Sequence, residues 1–338
     1  MTYEVTVTGT EISFTCEPGE AVLDAAERAG YALPYSCRKG VCSTCEAGVR
    51  TGQVQVRGQG DLTGPAEEVL LCQARPLTDL EIAPKRIDRR GPPDRKTVAA
   101  KVQRVTWPAE DVAILQLRLP TGVRARFRAG QYLKVFMADG DSRNYSMANP
   151  PHQNDSVQLH IRHVPGGRFS ESVLAGMQKG DALRVELPYG EFSLNEESGK
   201  PAILIATGTG FAPIKSIVED QLKRGSERSI HLYWGARKRA DLYLAELAEK
   251  WAARAPWFSF TPVLSEAEDG WPGRTGWVHA SVLDDRPDLS GYEVYACGSP
   301  MMTSAAREDF VSRGGLDPDS FHCDAFVPSG DLEPASPQ

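Results

Sequence analysis

The chain has 338 residues, 41% hydrophobic and 25% charged, an ordinary globular composition long enough for two or three domains. A formal net charge of −7 argues against a nucleic-acid binder, which needs a basic face. The longest apolar run, around Ala202–Ala206, falls far short of the roughly 18 residues that a membrane-spanning helix takes. The N-terminus shows no basic stretch followed by an apolar one, and seven cysteines without an export signal point to a reducing cytoplasm.

Taken in chain order, Met1 to Phe14 alternates polar and apolar residues, as a half-buried strand and hairpin do. Gly19-Glu20 leads into an amphipathic helix over Ala21–Ala29, stopped by Gly30. Leu33-Pro34-Tyr35-Ser36 delivers the chain to Cys37-Arg38-Lys39-Gly40-Val41-Cys42-Ser43-Thr44-Cys45, and Cys72 follows 27 positions on. C-x4-C-x2-C with a distant fourth cysteine is a spacing at which four thiolates hold two irons, a [2Fe–2S] cluster. The loop must fold round an inorganic rhomb: Gly40 supplies positive φ, and Ser43 and Thr44 are small enough to clear the sulfides. A zinc site, which prefers paired C-x2-C knuckles, and a disulfide framework are the competing readings. Cys16, Cys297 and Cys323 remain, by default small buried hydrophobes.

Residues 1–84 thus resemble a plant-type ferredoxin of β-grasp fold, with Cys37, Cys42, Cys45 and Cys72 as the metal ligands. Lys85 to Lys96 gathers basic residues around Gly91 and paired prolines. That stretch reads as a solvated linker over 85–97 or, more sharply, as a docking strip for an acidic partner.

From Val98 the texture changes to closely spaced strands: Val98–Thr106, Ala113–Leu119, Gln131–Met137, Arg143–Ala148, Val157–Val164 and Ala182–Leu187, with one helical stretch at Phe169–Met177. Six such strands suggest a small antiparallel barrel over 98–196. Arg143-Asn144-Tyr145-Ser146, with Gly166-Gly167-Arg168-Phe169-Ser170 after it, resembles the flavin domain of the ferredoxin–NADP⁺ reductase superfamily. The resemblance implies that Arg143 pairs with the flavin phosphate, Tyr145 stacks on the isoalloxazine and Ser146 approaches N5. The physics agrees: an Arg fork grips phosphate and an aromatic face matches a flat ring. Gly166-Gly167 lets backbone N–H groups approach a pyrophosphate, and Ser170 is expected to cap the helix that follows. His160 and Arg162 join this cofactor-binding set. Tyr189-Gly190-Glu191-Phe192 matches the family's turn into the next domain. Some relatives bind FMN, but those place the ferredoxin last; a ferredoxin-first order implies FAD.

Residues 197–326 alternate strand and helix. Ala202–Ala206 is an apolar strand leading to Thr207-Gly208-Thr209-Gly210-Phe211-Ala212-Pro213 and a helix over Ile214–Lys223. The glycines allow a diphosphate close to the helix N-terminus, although Pro213 replaces the third Gly of the G-x-G-x-x-G fingerprint. Ser229–Trp234, Phe258–Leu264 and Tyr292–Ala296 supply further strands, and Leu242–Arg254 and Met301–Arg313 helices, giving a doubly wound layout. Cys297-Gly298-Ser299-Pro300 resembles the superfamily's CGxP element beside the nicotinamide; a plain core thiol is the alternative. The segment His322-Cys323-Asp324-Ala325-Phe326 resembles the family's closing strand, whose terminal aromatic covers the flavin face, and Asp324 is counted with it. By resemblance the catalytic set is Ser146, Cys297 and Phe326, and the dinucleotide set is Thr207, Gly208, Thr209, Gly210 and Arg237. The sequence Arg237-Lys238-Arg239-Ala240-Asp241 offers both signs of charge; NADH is expected, with NADPH tolerated. A polar, Pro-rich tail over 327–338 is expected to be disordered.

Assembled, a β-grasp ferredoxin, an antiparallel FAD-binding barrel and a doubly wound NAD(P) domain make a multidomain α+β and α/β chain. It resembles the single-chain reductases of multicomponent Rieske oxygenases, such as those of benzoate, naphthalene and terephthalate dioxygenases, and the similarly built CDP-6-deoxy-glucoseen reductases. The resemblance implies a cytoplasmic, monomeric enzyme of aromatic degradation that carries electrons from NAD(P)H through flavin and cluster to a terminal oxygenase. A deoxysugar-pathway reductase and a redox sensor or carrier module are the alternatives. A cluster potential near −400 mV suits delivery to a Rieske centre, which lies higher. Arg38 and Lys39 are expected to raise that potential.

Overall fold

The computed structural model describes residues 2–91 and 94–327, so Pro92, Pro93 and nearly all of the expected tail lie outside the described residues. The chain divides into two compact units, residues 1–94 and 95–338. No helix among the described residues is long and apolar enough to cross a membrane.

In the first unit, Tyr3–Val7 pairs antiparallel with Ser13–Cys16 and parallel with Leu80–Pro84, which in turn pairs with Glu46–Thr51 and then Ala66–Leu70. The alternation read at the N-terminus is visible as Val5, Val7, Phe14 and Cys16 buried between exposed neighbours. Helix Val22–Arg28 packs on this sheet through Val22, Leu23, Ala25 and Ala26. A smaller sheet joins Gly60–Thr63, Gln53–Val56 and Ala74–Pro76. The stretch expected as linker carries structure of its own: Asp88–Arg89 pairs with Tyr31–Ala32, and Arg90 and Gly91 donate N–H groups to the Gly30 carbonyl. A strand edge left by Tyr31–Ala32 is satisfied in this way, which a reading of composition alone does not reveal.

The second unit opens with six antiparallel strands in the order Ser142–Ser146, Tyr132–Phe136, Ala182–Tyr189, Lys96–Ala109, Val112–Arg118 and Ser156–Arg162. A bridge between Met147 and Leu159 joins the two edges and closes the barrel. Its interior is the alternating apolar set of these strands, including Leu115, Leu117, Leu133, Val135, Leu159 and Val185. The expected helix over Phe169–Met177 is a single wide turn, Arg168–Val173.

Six parallel strands follow, in the order Arg274–Thr275, Phe258–Leu264, Ile230–Ala236, Ala202–Thr207, Glu293–Gly298 and Phe321–Ala325. Their near-continuous apolar runs belong to a sheet buried on both faces. Helices Phe211–Arg224, Ala245–Arg254, Val278–Asp285 and Pro300–Ser312 are the crossovers. Two differ from expectation. The second starts three residues late because Arg239–Asp241 forms its own short turn. The third, only two turns long, carries too little periodicity to be read from sequence. Strand order reverses at Ala202–Thr207, which has the second strand on one side and the strand Glu293–Gly298 on the other, so a crevice opens at their C-terminal ends.

Candidate functional site

In the first unit Cys37, Cys42, Cys45 and Cys72 are all buried. They stand as two hydrogen-bonded pairs, Cys37 with Cys42 and Cys45 with Cys72. Backbone N–H groups converge on the sulfurs: Lys39 on Cys37 at 3.3 Å, Val41 on Cys37, and Gly40 on Cys72. The Gln73 side chain adds an N–H 3.5 Å from the Cys72 sulfur. Donation from the Cys45 thiol, ahead of the Gln73 and Gly40 contributions, holds the Cys72 pKa down, towards the thiolate a metal needs. The loop takes left-handed backbone at Arg38, Gly40 and Ser43, with φ of 55°, 76° and 55°. A Cβ on Gly40 would lie 2.9 Å from Gln73 Cγ, so glycine is required twice over, by φ and by space.

No three His, Cys, Asp or Glu side chains among the described residues converge as ligands of one ion. Two pairs of soft sulfurs instead fit a group with two irons, each taking a pair. Arg38 departs from expectation. Its guanidinium pairs with Asp24 and, at 2.7 Å, with Glu27, both on the helix Val22–Arg28, and lies 4.2 Å from the Tyr35 ring centroid. Two carboxylates thus stand against its charge, and exposed Lys39 is the loop's other cation.

In the barrel, Arg143 Nη1 donates to Asp141 Oδ2 at 2.5 Å and to the Ser142 carbonyl at 2.9 Å. Arg168 pairs with Asp139 and reaches Asp141 at 3.7 Å. Carboxylate oxygens thus lie against both guanidinium groups, marking a corner built for anionic oxygen. The Tyr145 ring packs against Phe169 with centroids 5.3 Å apart, and burial pushes its hydroxyl pKa up. Ser146 is buried beside it, paired in register with Tyr132. Gly166 has φ of 73°, and a Cβ on Gly167 would fall 2.5 Å from Ser170 Oγ and 2.7 Å from the Val164 carbonyl. Ser170 is not a helix cap. It sits inside the turn, where its hydroxyl accepts from the Val164 N–H at 3.1 Å and closes the glycine loop, and Gly167 occupies the cap position.

At the crevice of the parallel sheet, Thr207 and the turn Gly208–Gly210 meet Cys297-Gly298-Ser299. A Cβ on Gly210 would lie 2.1 Å from the Cys297 carbonyl oxygen, and one on Gly298 2.1 Å from Thr207 Oγ1. Thr207 Oγ1 accepts from the Ser299 N–H at 3.2 Å. Only glycines allow the two loops so close, leaving backbone at the surface where a diphosphate approaches. Arg162 of the barrel reaches the same place, with its Cζ 3.3 Å from where a Gly208 Cβ would stand, and its Nε 3.2 Å from Asp111 Oδ2. Phe326 donates its N–H to the Gly298 carbonyl at 2.7 Å, and its ring is half-buried against the sheet's core. Cys297 is wholly buried, its thiol pKa pushed up by burial and then by Asp324, which pairs with it in register. Arg237 is exposed past the end of Ile230–Ala236. His160, expected in the cofactor-binding set, is buried on the barrel strand Ser156–Arg162. Burial, then Lys215, holds its pKa down to about 3, and both ring nitrogens bond within the protein. Sequence reasoning missed Asp139, Asp141 and Asp111, whose charges gain meaning only once folding sets them beside Arg143, Arg168 and Arg162.

A thiol loop, a flavin-type barrel and a switch-point crevice together define a flavin- and nicotinamide-dependent iron–sulfur oxidoreductase. Comparison with known proteins agrees in all three parts. Family models match the 2Fe-2S iron-sulfur cluster binding domain at residues 5–77, the oxidoreductase FAD-binding domain at 99–194 and the oxidoreductase NAD-binding domain at 204–308. The chain is 41% identical over 336 residues to a terephthalate 1,2-dioxygenase reductase component from a Comamonas species, covering 97% of this chain and 98% of the relative. It is 37% identical to the CDP-6-deoxy-L-threo-D-glycero-4-hexulose-3-dehydrase reductase of Yersinia pseudotuberculosis, covering 94% and 96%. The Amycolatopsis cytochrome P450 reductase GcoB superposes with a TM-score of 0.78 at 33% identity, over 97% of this chain and all of that one. The chain belongs to the family of single-chain NAD(P)H-dependent reductases of multicomponent oxygenases. Its cofactors are a [2Fe–2S] cluster, FAD and a nicotinamide dinucleotide, and its activity is electron transfer between them.

Proposed function

We propose that this chain is the monomeric, cytoplasmic reductase of a Rieske-type aromatic-ring oxygenase. The near full-length similarity to a terephthalate dioxygenase reductase carries this reading of the partner. When bound, nicotinamide would supply a hydride, flavin a means of dividing its two electrons, and the cluster a one-electron exit. Cys37, Cys42, Cys45 and Cys72 hold the cluster. Arg143 would bind flavin phosphate in place of its Asp141 contact, Tyr145 would offer its ring to the isoalloxazine, Ser146 a hydroxyl towards N5, and Gly166 and Gly167 backbone N–H groups to the pyrophosphate. Thr207, Gly208, Thr209 and Gly210 receive the dinucleotide diphosphate at the start of helix Phe211–Arg224. Arg162, beside Gly208, adds a positive charge to the same diphosphate. Arg237 meets the adenosine ribose, and NADH is the preferred donor. Phe326 shields the flavin face until nicotinamide arrives, with Cys297 and Asp324 shaping the wall behind it.

The test is reconstitution of the purified chain with NADH and, separately, an aromatic-ring dioxygenase and a deoxyhexulose dehydrase. Substrate turnover coupled to NADH oxidation with the dioxygenase alone supports the proposal. Turnover with the dehydrase alone selects the second reading, which the 37% identity to a dehydrase reductase favours.

A further inference from the structure

Within the second unit, two polar links tie the barrel to the parallel sheet. His160, on the barrel strand Ser156–Arg162, is 4% exposed. A buried imidazole is costly unless both nitrogens are satisfied. Its Nε2 lies 3.3 Å from Gln158 Oε1, an acceptor, which puts the proton on Nε2. Its Nδ1 therefore accepts from the Tyr243 hydroxyl, 2.8 Å away across the seam. Tyr243 stands edge-on to Trp234 at 5.2 Å and to Phe211 at 6.1 Å. Phe211 stacks flat on Trp234 at 3.9 Å and is the first residue of the helix that follows the Thr207–Gly210 turn. The second link starts on that same helix. Lys215, buried, donates to the Ala148 carbonyl at 3.2 Å and to Glu219 at 2.8 Å, and Ser216 donates to the Asn149 carbonyl at 2.7 Å. Ala148 and Asn149 lie two and three residues past the strand that carries Arg143, Tyr145 and Ser146. The segment assigned to flavin and the helix assigned to the dinucleotide are thus bonded to each other at buried points.

We propose that His160, Tyr243, Lys215 and Ser216 are positioning residues for hydride transfer: Lys215 and Ser216 fix the segment after the flavin-binding strand against the dinucleotide helix, and the His160–Tyr243 bond fixes the neighbouring barrel strand against the rings that pack on the start of that helix, so setting the approach of the two cofactor rings. This rests on the assignment of flavin to the barrel and nicotinamide to the crevice. Apolar packing alone would hold the seam together, but it is non-directional, whereas three hydrogen bonds across it permit one register. The step they serve is unforgiving: the C–H bond at nicotinamide C4 breaks as an N–H bond at flavin N5 forms, two electrons passing from donor to acceptor. Misplacement by about 1 Å costs such a step up to about a hundredfold.

The experiment uses holoenzyme of the full chain. Tyr243→Phe removes only the bridging hydroxyl, Ser216→Ala removes the second link, His160→Leu removes the acceptor, and His160→Asn restores one at the Nδ1 position. Flavin content, cluster absorbance, NADH affinity and the rate of flavin bleaching at saturating NADH and [4-²H]NADH are measured by rapid mixing. The expected result is unchanged flavin and cluster content, NADH affinity within twofold, and a bleaching rate lower by about tenfold in Tyr243→Phe with a changed deuterium isotope effect. A further loss is expected on adding Ser216→Ala, and a rate in His160→Asn well above that of His160→Leu. Bleaching within twofold of the parent in both Tyr243→Phe and Ser216→Ala overturns the proposal, even if His160→Leu fails to fold. Flavin loss from His160→Leu with no rate effect in Tyr243→Phe also overturns it, making His160 a flavin ligand. A parent enzyme that holds no flavin, or whose flavin NADH does not bleach, refutes instead the cofactor assignment beneath it.

Discussion

The unit of residues 1–94 gathers its chemistry from one loop, 37–45, and one further cysteine, whereas the unit of 95–338 gathers it from six separated segments. The contrast extends to what holds each site. The thiol loop is pinned by backbone N–H groups, left-handed residues and the Arg38 clamp to Asp24 and Glu27. The flavin–nicotinamide unit is held by buried rings and by glycines pressed against carbonyls. A loop that carries its own ligands tolerates change elsewhere. A site assembled from distant strands depends on the packing between them, so the two should fail separately and for different reasons.

The harshest break is Cys45→Ser. A neutral hydroxyl is a far poorer iron ligand than a thiolate, so the cluster's visible absorption should disappear. The second unit has its own core, and reduction of ferricyanide by NADH should persist while cytochrome c reduction fails. Full cytochrome c reduction by this variant would remove the cluster from the electron path.

Acid should strike the other way. All six histidines and all six tryptophans lie beyond residue 94. Burial, then a neighbouring cation, holds His160 at about 3 and His231 at about 4, below the ordinary 6.5. The unfolded chain therefore binds protons that the folded one refuses. Stability is complete above pH 6.5 and falls as pH drops, by about 1.4 kcal/mol per pH unit for each histidine. Tryptophan fluorescence in urea should show the second unit weakening between pH 6.5 and 5, with cluster visible dichroism unmoved. Parallel loss of both signals would merge the two units into one cooperative body.

Smaller in effect is Arg143→Ala, which removes a charge-assisted phosphate contact of about 1.5–3 kcal/mol. Flavin occupancy after gel filtration should fall and cluster absorption stay. Unchanged occupancy would move the phosphate site away from the Arg143 corner. The finest probe is Phe326→Ala. Uncovering the flavin face should change the ratio of NADPH to NADH bleaching rates by on the order of fivefold, about 1 kcal/mol. Identical ratios in parent and variant would deny the ring its gating part.

What the sequence disclosed follows the same division. Cysteine spacing and Gly40 are local features, and the loop they announced is present with its thiols buried and paired. The barrel strands and the parallel sheet were readable from period and apolar runs, to within a few residues at each end. Contacts between distant segments were not. His160 and Tyr243 are 83 residues apart, and nothing in either neighbourhood tells that one will accept the other's proton. Ser170 looked like a cap because Ser precedes a helical stretch, yet its hydroxyl turns back to Val164 once the Gly166-Gly167 loop has formed. The Arg38 clamp escaped for a similar reason: Asp24 and Glu27 sit on a helix whose placement is tertiary.

The order of strands in the parallel sheet bears on how the protein is born. Among the described residues Phe321–Ala325 is both one edge of the sheet and its last strand in chain order, and it pairs with Glu293–Gly298, the strand that ends at the crevice. On the ribosome the first unit is complete by residue 94, with tens of seconds of synthesis still to run at about 5–20 residues per second. Its thiol loop is therefore made whole before any segment of the flavin or dinucleotide sites, and a unit that folds by itself can take iron first. Chain order thus staggers the two halves, the thiol loop preceding every segment of the other two cofactor sites.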